Sequence, residues 1–282
     1  MTRITTLVEN RPGAHRSLAT EHGLSMLVEH DGHTLLFDTG QSGGLVHNAR
    51  LLRIDLSAVE AVVLSHGHYD HTNGLPYLVE AGVTGFDLYV GRSFFDPKFS
   101  TDGYSQTYLG PSWDRTWCTG HARSLHELDD PVRELVPGVH AIGSFERTHD
   151  CEGPNPRFVV QRAPAAAVEV DDFRDEVSLA VETPKGLVVL VGCSHPGIMN
   201  MLDTVRWRFD TPIHAVLGGT HLVEAHGERL EEALAYLTDD TIPLLGLSHC
   251  TGDAAMDRLR TMTTGFYRNV TGSSYCVISD PS

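Results

Sequence analysis

Within six residues, His66-Gly67-His68-Tyr69-Asp70-His71 carries three imidazoles and a carboxylate. These are the donors that borderline divalent metals take, zinc above all. The cluster follows the apolar run Ala61-Val62-Val63-Leu64, so a strand that ends there can aim several donors at one point. A polar loop with surface histidines would not account for what recurs downstream. His195, His221 and His249 each follow another apolar run. In an α/β sheet the carboxyl ends of strands line one edge, where sites form. Four strand ends, scattered along the chain, can therefore meet at one place. His195 and His249 read as site residues on this argument, whereas His221 stays open between a structural and a functional role.

The elements that must position these residues follow from pattern. Ile4 to Val8 reads as a strand. Leu24 to Glu29 and Thr34 to Phe37 flank His30-Asp31-Gly32-His33, an Asp-Gly hairpin signal. That hairpin ends in Asp38-Thr39-Gly40, a carboxylate beside the histidine cluster. Such a carboxylate is placed to accept a ring N–H and fix a ligand's tautomer rather than to bind metal. Helices are expected at Leu45 to Leu52 and Gly74 to Glu80, and strands at Ala61 to Leu64 and Leu88 to Val90. The second half alternates: strands Val177 to Glu182 and Leu187 to Val191 around Pro184-Lys185-Gly186, a helix from Ile198 to Phe209, the strand Ile213 to Leu217. A helix from Leu230 to Leu237, the strand Leu244 to Leu247, a helix from Ala254 to Met262 and a strand from Cys276 to Ile278 close the chain. Residues 92–125 differ. Phe94, Phe95, Phe99, Tyr104, Tyr108, Trp113 and Trp117 lie among Gly, Ser, Asp and Pro without periodicity, as in a lid insertion over a site.

Composition narrows the function classes. The 282 residues carry a net charge of −16, which repels phosphate backbones and argues against nucleic-acid partners. A small anionic substrate stays compatible, because bound dications dominate the local field. The five cysteines are odd in number and form no CxxC pair, so a reducing cytoplasm is expected rather than a disulfide framework. No apolar run approaches the ~20 residues of a membrane span, and the first ten residues have no apolar signal core. A small-molecule substrate is expected as the partner, with oligomeric state open.

His66-x-His68-x-Asp70-His71, with Asp38 upstream and His249 near the end of the chain, resembles the metallo-β-lactamase superfamily. Three further stretches, from Gly192 to Asn200, Gly218 to Leu222 and His249 to Gly252, are similar to one branch of it, as is Asp175-Glu176-x-x-Leu179. That branch is named for 7,8-dihydropterin-6-methyl-4-(β-D-ribofuranosyl)aminobenzene-5'-phosphate synthase and is related to dihydropteroate synthases. The resemblance runs from about Leu24 to Ile278. It implies one α/β domain spanning residues 1–282, a four-layer αβ/βα sandwich with two mixed sheets inside and helices outside. It implies two divalent metals, zinc foremost, with manganese or iron as alternatives. His66 and His68 would bind the first metal, and Asp70, His71 and His249 the second. The superfamily pattern adds a third histidine to the first metal and a bridging aspartate. Here Gly143-Ser144-Phe145-Glu146-Arg147-Thr148-His149 stands near the expected histidine, and Cys193 and His195 near the expected aspartate. His195 is therefore taken as a ligand. Cys193 is a weaker candidate that also reads as a small buried residue, and His149 and Glu152 are spare ones.

A metal pair can lower the pKa of bound water to about 7 and hold an oxyanion or phosphate, with Asp70 as the catalytic residue that orients the nucleophile or moves a proton. The branch name implies transfer of a pterin-methyl group to an arylamine with loss of pyrophosphate. Arg147 or Lys98 would then assist a phosphate, with Asp38, His221 and Cys193 around the site and the aromatics of 92–125 stacking on a flat ring. The alternatives are a hydrolase of an ester, lactone or phosphodiester, iron-based redox chemistry, and a ligand sensor that keeps the metal without turnover.

Overall fold

The chain is seen in a computed structural model that describes residues 1–163 and 167–278. Two seven-stranded sheets face each other. The first runs in the order Ser274–Val277, Thr2–Val8, Ser25–His30, His33–Phe37, Ala61–Val63, Asp87–Gly91, Ser124–Leu128. The second runs Phe266–Arg268, Leu244–Leu247, Ile213–Gly218, Gly186–Val191, Ser178–Thr183, Val139–Ile142, Val132–Val136. Each is antiparallel at one side and parallel at the other.

Strand alternation sorts the side chains into layers. Val28, Leu35 and Phe37 from the first sheet meet Leu179, Val181, Val188 and Leu190 from the second in a central apolar layer. The intervening Leu27, Leu36 and Val62 face outward onto Leu45 and Ala49 of the helix Gly44–Leu52 and onto Leu75 and Leu78 of the helix Leu75–Glu80. Val189, Val191 and Val216 do the same on the other side. They pack against the helices Ile198–Arg208, Gly227–Leu237 and Asp253–Met262. The result is helix, sheet, sheet, helix, the αβ/βα sandwich that the resemblance implies. Each fully buried Leu or Val contributes about 1.5–3 kcal/mol.

The hairpin at Asp31-Gly32 has both residues at positive φ, 46° and 95°, as a two-residue turn between twisted strands requires. In the parallel parts the strands run the same way, so Phe37, Val63, Val191, Gly218 and Leu247 all end at one edge of the sandwich. The residues that follow these strand ends are Asp38, the histidine cluster, Cys193 with His195, His221 and His249.

A third sheet, in the order Glu169–Val170, Phe158–Val160, Lys98–Thr101, Gln106–Tyr108, has no counterpart among the sequence expectations. Its strands are two to four residues long, too short to show a period. Residues 92–125 are correspondingly ordered, with two of these strands and the helix Arg115–His121. Their aromatics do not roof the site. Phe94 and Trp113 are buried in the outer core of the first sheet, with Phe95 and Trp117 packed against them. Large rings gain more from joining that core than from lying over a polar opening.

Candidate metal centre

At the shared strand edge the loop after Ala61–Val63 turns into a short helix, Tyr69–Thr72. The loop and helix bring His66, His68, Asp70 and His71 inward, and all four are buried. His195 arrives from the loop after Gly186–Val191, and its ring lies 4.8 Å from His66 and 5.1 Å from His68. The Nε2 atoms of His66, His68 and His195 are buried and meet no hydrogen-bond partner among the described residues. One donor atom of each lies within 4.8 Å of the others. Buried polar atoms are almost always paired, so three orphaned imidazole nitrogens around one point fit a metal ion.

A second donor set adjoins the first. His71 Nε2 is 3.2 Å from His249 Nε2, 3.2 Å from Cys193 Sγ and 3.5 Å from Asp70 Oδ2. Asp70 Oδ2 is also 3.3 Å from His249 Nε2 and 3.3 Å from His22 Nε2. Cys250 stands close to Cys193 and His249. Oxygen, nitrogen and thiol donors so arranged suit a borderline divalent metal.

The surroundings fix which nitrogen faces inward. His71 Nδ1 donates to Asp38 Oδ2 at 2.7 Å. Asp38 also accepts from Ser65 N and Ser65 Oγ at 2.7 and 2.8 Å. Ser65 Oγ in turn accepts from His66 Nδ1 at 2.9 Å, and His249 Nδ1 donates to Asn10 Oδ1 at 2.8 Å. Nδ1–H bonds of this kind turn Nε2 toward the centre. Asp38, Phe173, Ser194, His221 and His249 all hold φ between 50° and 60°, an uncommon region for residues other than glycine and one that collects at functional sites.

Electrostatics follow the same plan. Burial pulls His68 down to about 3 and takes His66 and His195 well below the imidazole range, helped by the neighbouring imidazoles. All three are therefore neutral, the form that binds metal. Burial acts against charge on Asp70, but His71 and His249 prevail and hold it well below the ordinary carboxylate range. Burial likewise opposes His71, yet Asp38 and Asp70 raise it to about 9. A proton on His71 Nε2 would sit between His71 and His249. The arrangement thus favours positive charge at the place where a second cation would go.

A cavity of about 250 Å³ opens over both donor sets. His68, Asp70, Cys193, His195, His221 and His249 line it, with His22, Tyr69, Leu109, Arg157 and Phe158 around them. His221 lies beside His195, ring centroids 4.4 Å apart, and burial lowers it to about 3. Several residues weighed from sequence lie elsewhere. Arg147 does not face this cavity. Its guanidinium donates to the carbonyls of Glu152, Pro196 and Asp172, tying three loops together beside a separate cavity. Lys98 is buried against Asp175. His149 pairs with Asp203 at 2.8 Å, and Glu152 accepts from Met199 N and Asn200 N at the start of a helix.

The structure adds His22 and Phe173, which sequence reasoning passed over, and gives a place to Glu176, singled out from sequence only through the resemblance of Asp175-Glu176-x-x-Leu179. His22 stands at the cavity mouth, its side chain 55% exposed, against the buried Asp70. Phe173 stacks flat on His195, 3.9 Å between centroids and 5° between planes. Glu176 accepts from Ser194 N at 3.1 Å, and burial, with Asp175 alongside, pushes it up to about 8. Glu21-His22-Gly23 before a strand and the acidic run from Asp171 to Glu176 were the available signals.

Comparison with known proteins agrees with this geometry. Residues 19–166 match the family model of the metallo-beta-lactamase superfamily. A 7,8-dihydropterin-6-methyl-4-(beta-D-ribofuranosyl)-aminobenzene-5'-phosphate synthase from Methanocaldococcus jannaschii is 28% identical over 89% of this chain and 87% of its own length. The crystal structure of Tm1679, described as a metal-dependent hydrolase of the beta-lactamase superfamily, superposes with a TM-score of 0.84 at 29% identity. The alignment covers 99% of this chain and 100% of that one. Zn(2+)-bound PqqB from Methylobacterium extorquens shares the fold, with a TM-score of 0.60 at 15% identity over 98% of this chain and all of its own. The match over residues 19–166, on a sandwich of this layering, shows that the chain belongs to the metallo-beta-lactamase superfamily.

Proposed function

We propose that the chain is a metal-dependent enzyme acting on a small phosphorylated or pterin-like substrate, by transfer of a pterin-methyl group to an arylamine with loss of pyrophosphate. The observation that carries the metal part is the set of three buried Nε2 atoms on His66, His68 and His195 that meet no partner among the described residues. The synthase from Methanocaldococcus jannaschii supports the substrate class.

His66, His68 and His195 would hold one divalent metal, and Asp70, His71, His249 and Cys193 a second, with zinc the first expectation. Bound there, such ions supply Lewis-acid stabilisation of phosphoryl oxygens. The chain's own residues do the rest. Asp38 and Ser65 lock the orientation of His71 and His66. Asp70, kept ionised, can accept a hydrogen bond from the attacking amine and orient it. As the new N–C bond forms and the C–O bond to pyrophosphate breaks, the amine proton must leave. His22, in contact with Asp70 at the mouth, is placed to take it. Phe158 offers a flat apolar surface for a heterocycle.

Hydrolysis of an ester, lactone or phosphodiester is the second reading. The full-length similarity to a metal-dependent hydrolase favours it. One measurement tests the metal centre that both readings need, and a second separates them. Plasma mass spectrometry of protein purified without added metal should give up to two ions per chain, and fewer than one refutes the metal centre. Product analysis with a pterin pyrophosphate should require the arylamine. Release of pyrophosphate at an unchanged rate without the amine refutes transfer and leaves hydrolysis.

A further inference from the structure

Arg157 stands at the rim of the cavity, just before the strand Phe158–Val160, and is the only lysine or arginine among the cavity's described lining residues. Its guanidinium carbon lies 5.5 Å from the centroid of the Phe158 ring. That same ring is 5.6 Å from His68 and 5.0 Å from His195. Phe158 therefore separates one cation at the mouth from the imidazoles of the floor. Nη1 donates to the Glu224 carboxylate, whose other oxygen accepts from Asn155 Nδ2 at 2.8 Å. The Arg157 side chain is 55% exposed. An exposed pair of this kind contributes little to stability, so its place on the rim asks for another account.

We infer that Arg157 receives the phosphate of the substrate, one ring's breadth from the reacting atoms, and that Glu224 holds the guanidinium until the substrate arrives. The inference rests on the reading of the cavity as a metal-dependent site for a phosphorylated compound. A guanidinium matches phosphate in a two-pronged geometry that a point charge does not. A dianion outcompetes a single carboxylate for it. The chain's net charge of −16 repels such a ligand at long range, and a cation at the opening offsets that repulsion locally. Asn155 keeps Glu224 beside the site and limits how far the arginine swings. The substrate class is then a phosphomonoester with a flat apolar portion that covers Phe158.

The test uses phenylphosphonate, a non-hydrolysable dianion with one ring, titrated calorimetrically into the metal-loaded full chain. Arg157→Ala should weaken binding about 10- to 100-fold, the loss expected for a charge-assisted hydrogen bond, and Arg157→Lys should restore part of it. Glu224→Gln frees the guanidinium and should tighten binding several-fold. Binding of Arg157→Ala within twofold of wild type, or no wild-type binding at millimolar probe, overturns the inference. Weaker binding by Glu224→Gln overturns the holding role of Glu224. Metal content is measured on the same samples. Wild type that holds less than one ion per chain sinks the metal reading, and an unaffected Arg157→Ala with full metal content sinks only the phosphate receptor.

Discussion

Replacing the buried Lys98 by Met should destabilise the chain by about 3 kcal/mol, the cost of stranding its partner carboxylate. Lys98 Nζ lies 3.0 Å from Asp175 Oδ2, and both side chains are 2% exposed. Nζ also donates to Phe94 O and Ser93 O at 3.3 and 3.4 Å. The same Asp175 Oδ2 accepts from Gly67 N at 2.7 Å, between His66 and His68. The pair thus fastens the histidine loop to the third sheet. Methionine keeps the apolar stem but leaves Asp175 buried without its cation. Breaking one side of a buried pair costs about 3–5 kcal/mol. The retained bond from Gly67 points to the lower end, about 3 kcal/mol, against a total of about 5–15 kcal/mol for a typical domain. Urea unfolding followed by fluorescence at fixed pH, with chelator present throughout, reads this as a lower midpoint at unchanged slope. The double variant Lys98→Met with Asp175→Asn carries no bare charge and should recover at least about 1 kcal/mol of the loss. A single-variant cost below about 1 kcal/mol, the range of exposed pairs, would refute the reasoning. So would a double variant no better than the single one.

Three other outcomes are expected. His195→Ala removes one of three converging imidazoles, and plasma mass spectrometry should show about one metal fewer per chain than wild type, while full content means that His195 is no ligand. Asp38→Asn takes away the acceptor that orients His71 and should lower affinity for one metal about 10- to 100-fold in chelator competition, and unchanged affinity refutes the orienting role. Burial, with Asp175 nearby, pushes Asp171 up to about 6 from an ordinary 3.8. A carboxyl raised in this way contributes stability that is fully present below about 4 and lost as the pH climbs through about 6. Asp171→Asn should flatten the urea midpoint over that window, and an unaltered pH profile counts against it.

The site was legible in the sequence wherever a donor follows a strand, because a strand's direction fixes where its next residues go. The run ending at Val63 lies in the parallel part of the first sheet and those ending at Val191 and Leu247 in the parallel part of the second, either side of Ile213–Gly218, so within each sheet the carboxyl ends of parallel strands share an edge. That is why His66, His68, Asp70, His71, His195 and His249 could be gathered before any coordinates. The layering came from the resemblance, because Leu35-Leu36-Phe37 and Val188-Val189-Leu190 are apolar throughout and show no alternation until the structure sends Leu35, Phe37, Val188 and Leu190 to the central layer and Leu36 and Val189 to the outer ones.

What escaped has no period to show. The four strands of the third sheet are short, and they carry Lys98 and Phe158 into place by pairing across about sixty residues of chain, Val160 opposite Lys98. Charge sign alone made Arg147 and Lys98 look like phosphate ligands. Burial decided otherwise, because a cation inside the fold must spend its donors on carbonyls or a carboxylate. Arg147 does the first and Lys98 the second, whereas Arg157, paired with Glu224 at the rim, is the lysine or arginine found among the cavity's described lining residues. Phe173 is harder still to foresee. Its position on His195 depends on a left-handed backbone, φ 51°, held by a loop in which Asp171 Oδ1 accepts from Phe173 N at 2.8 Å. Three loops that Arg147 ties together meet behind that ring. His195 is therefore braced by groups that share no sequence pattern with it, and Arg147→Ala should lower metal content by plasma mass spectrometry, as His195→Ala does, although Arg147 lines a different cavity from His195; unchanged content refutes the coupling.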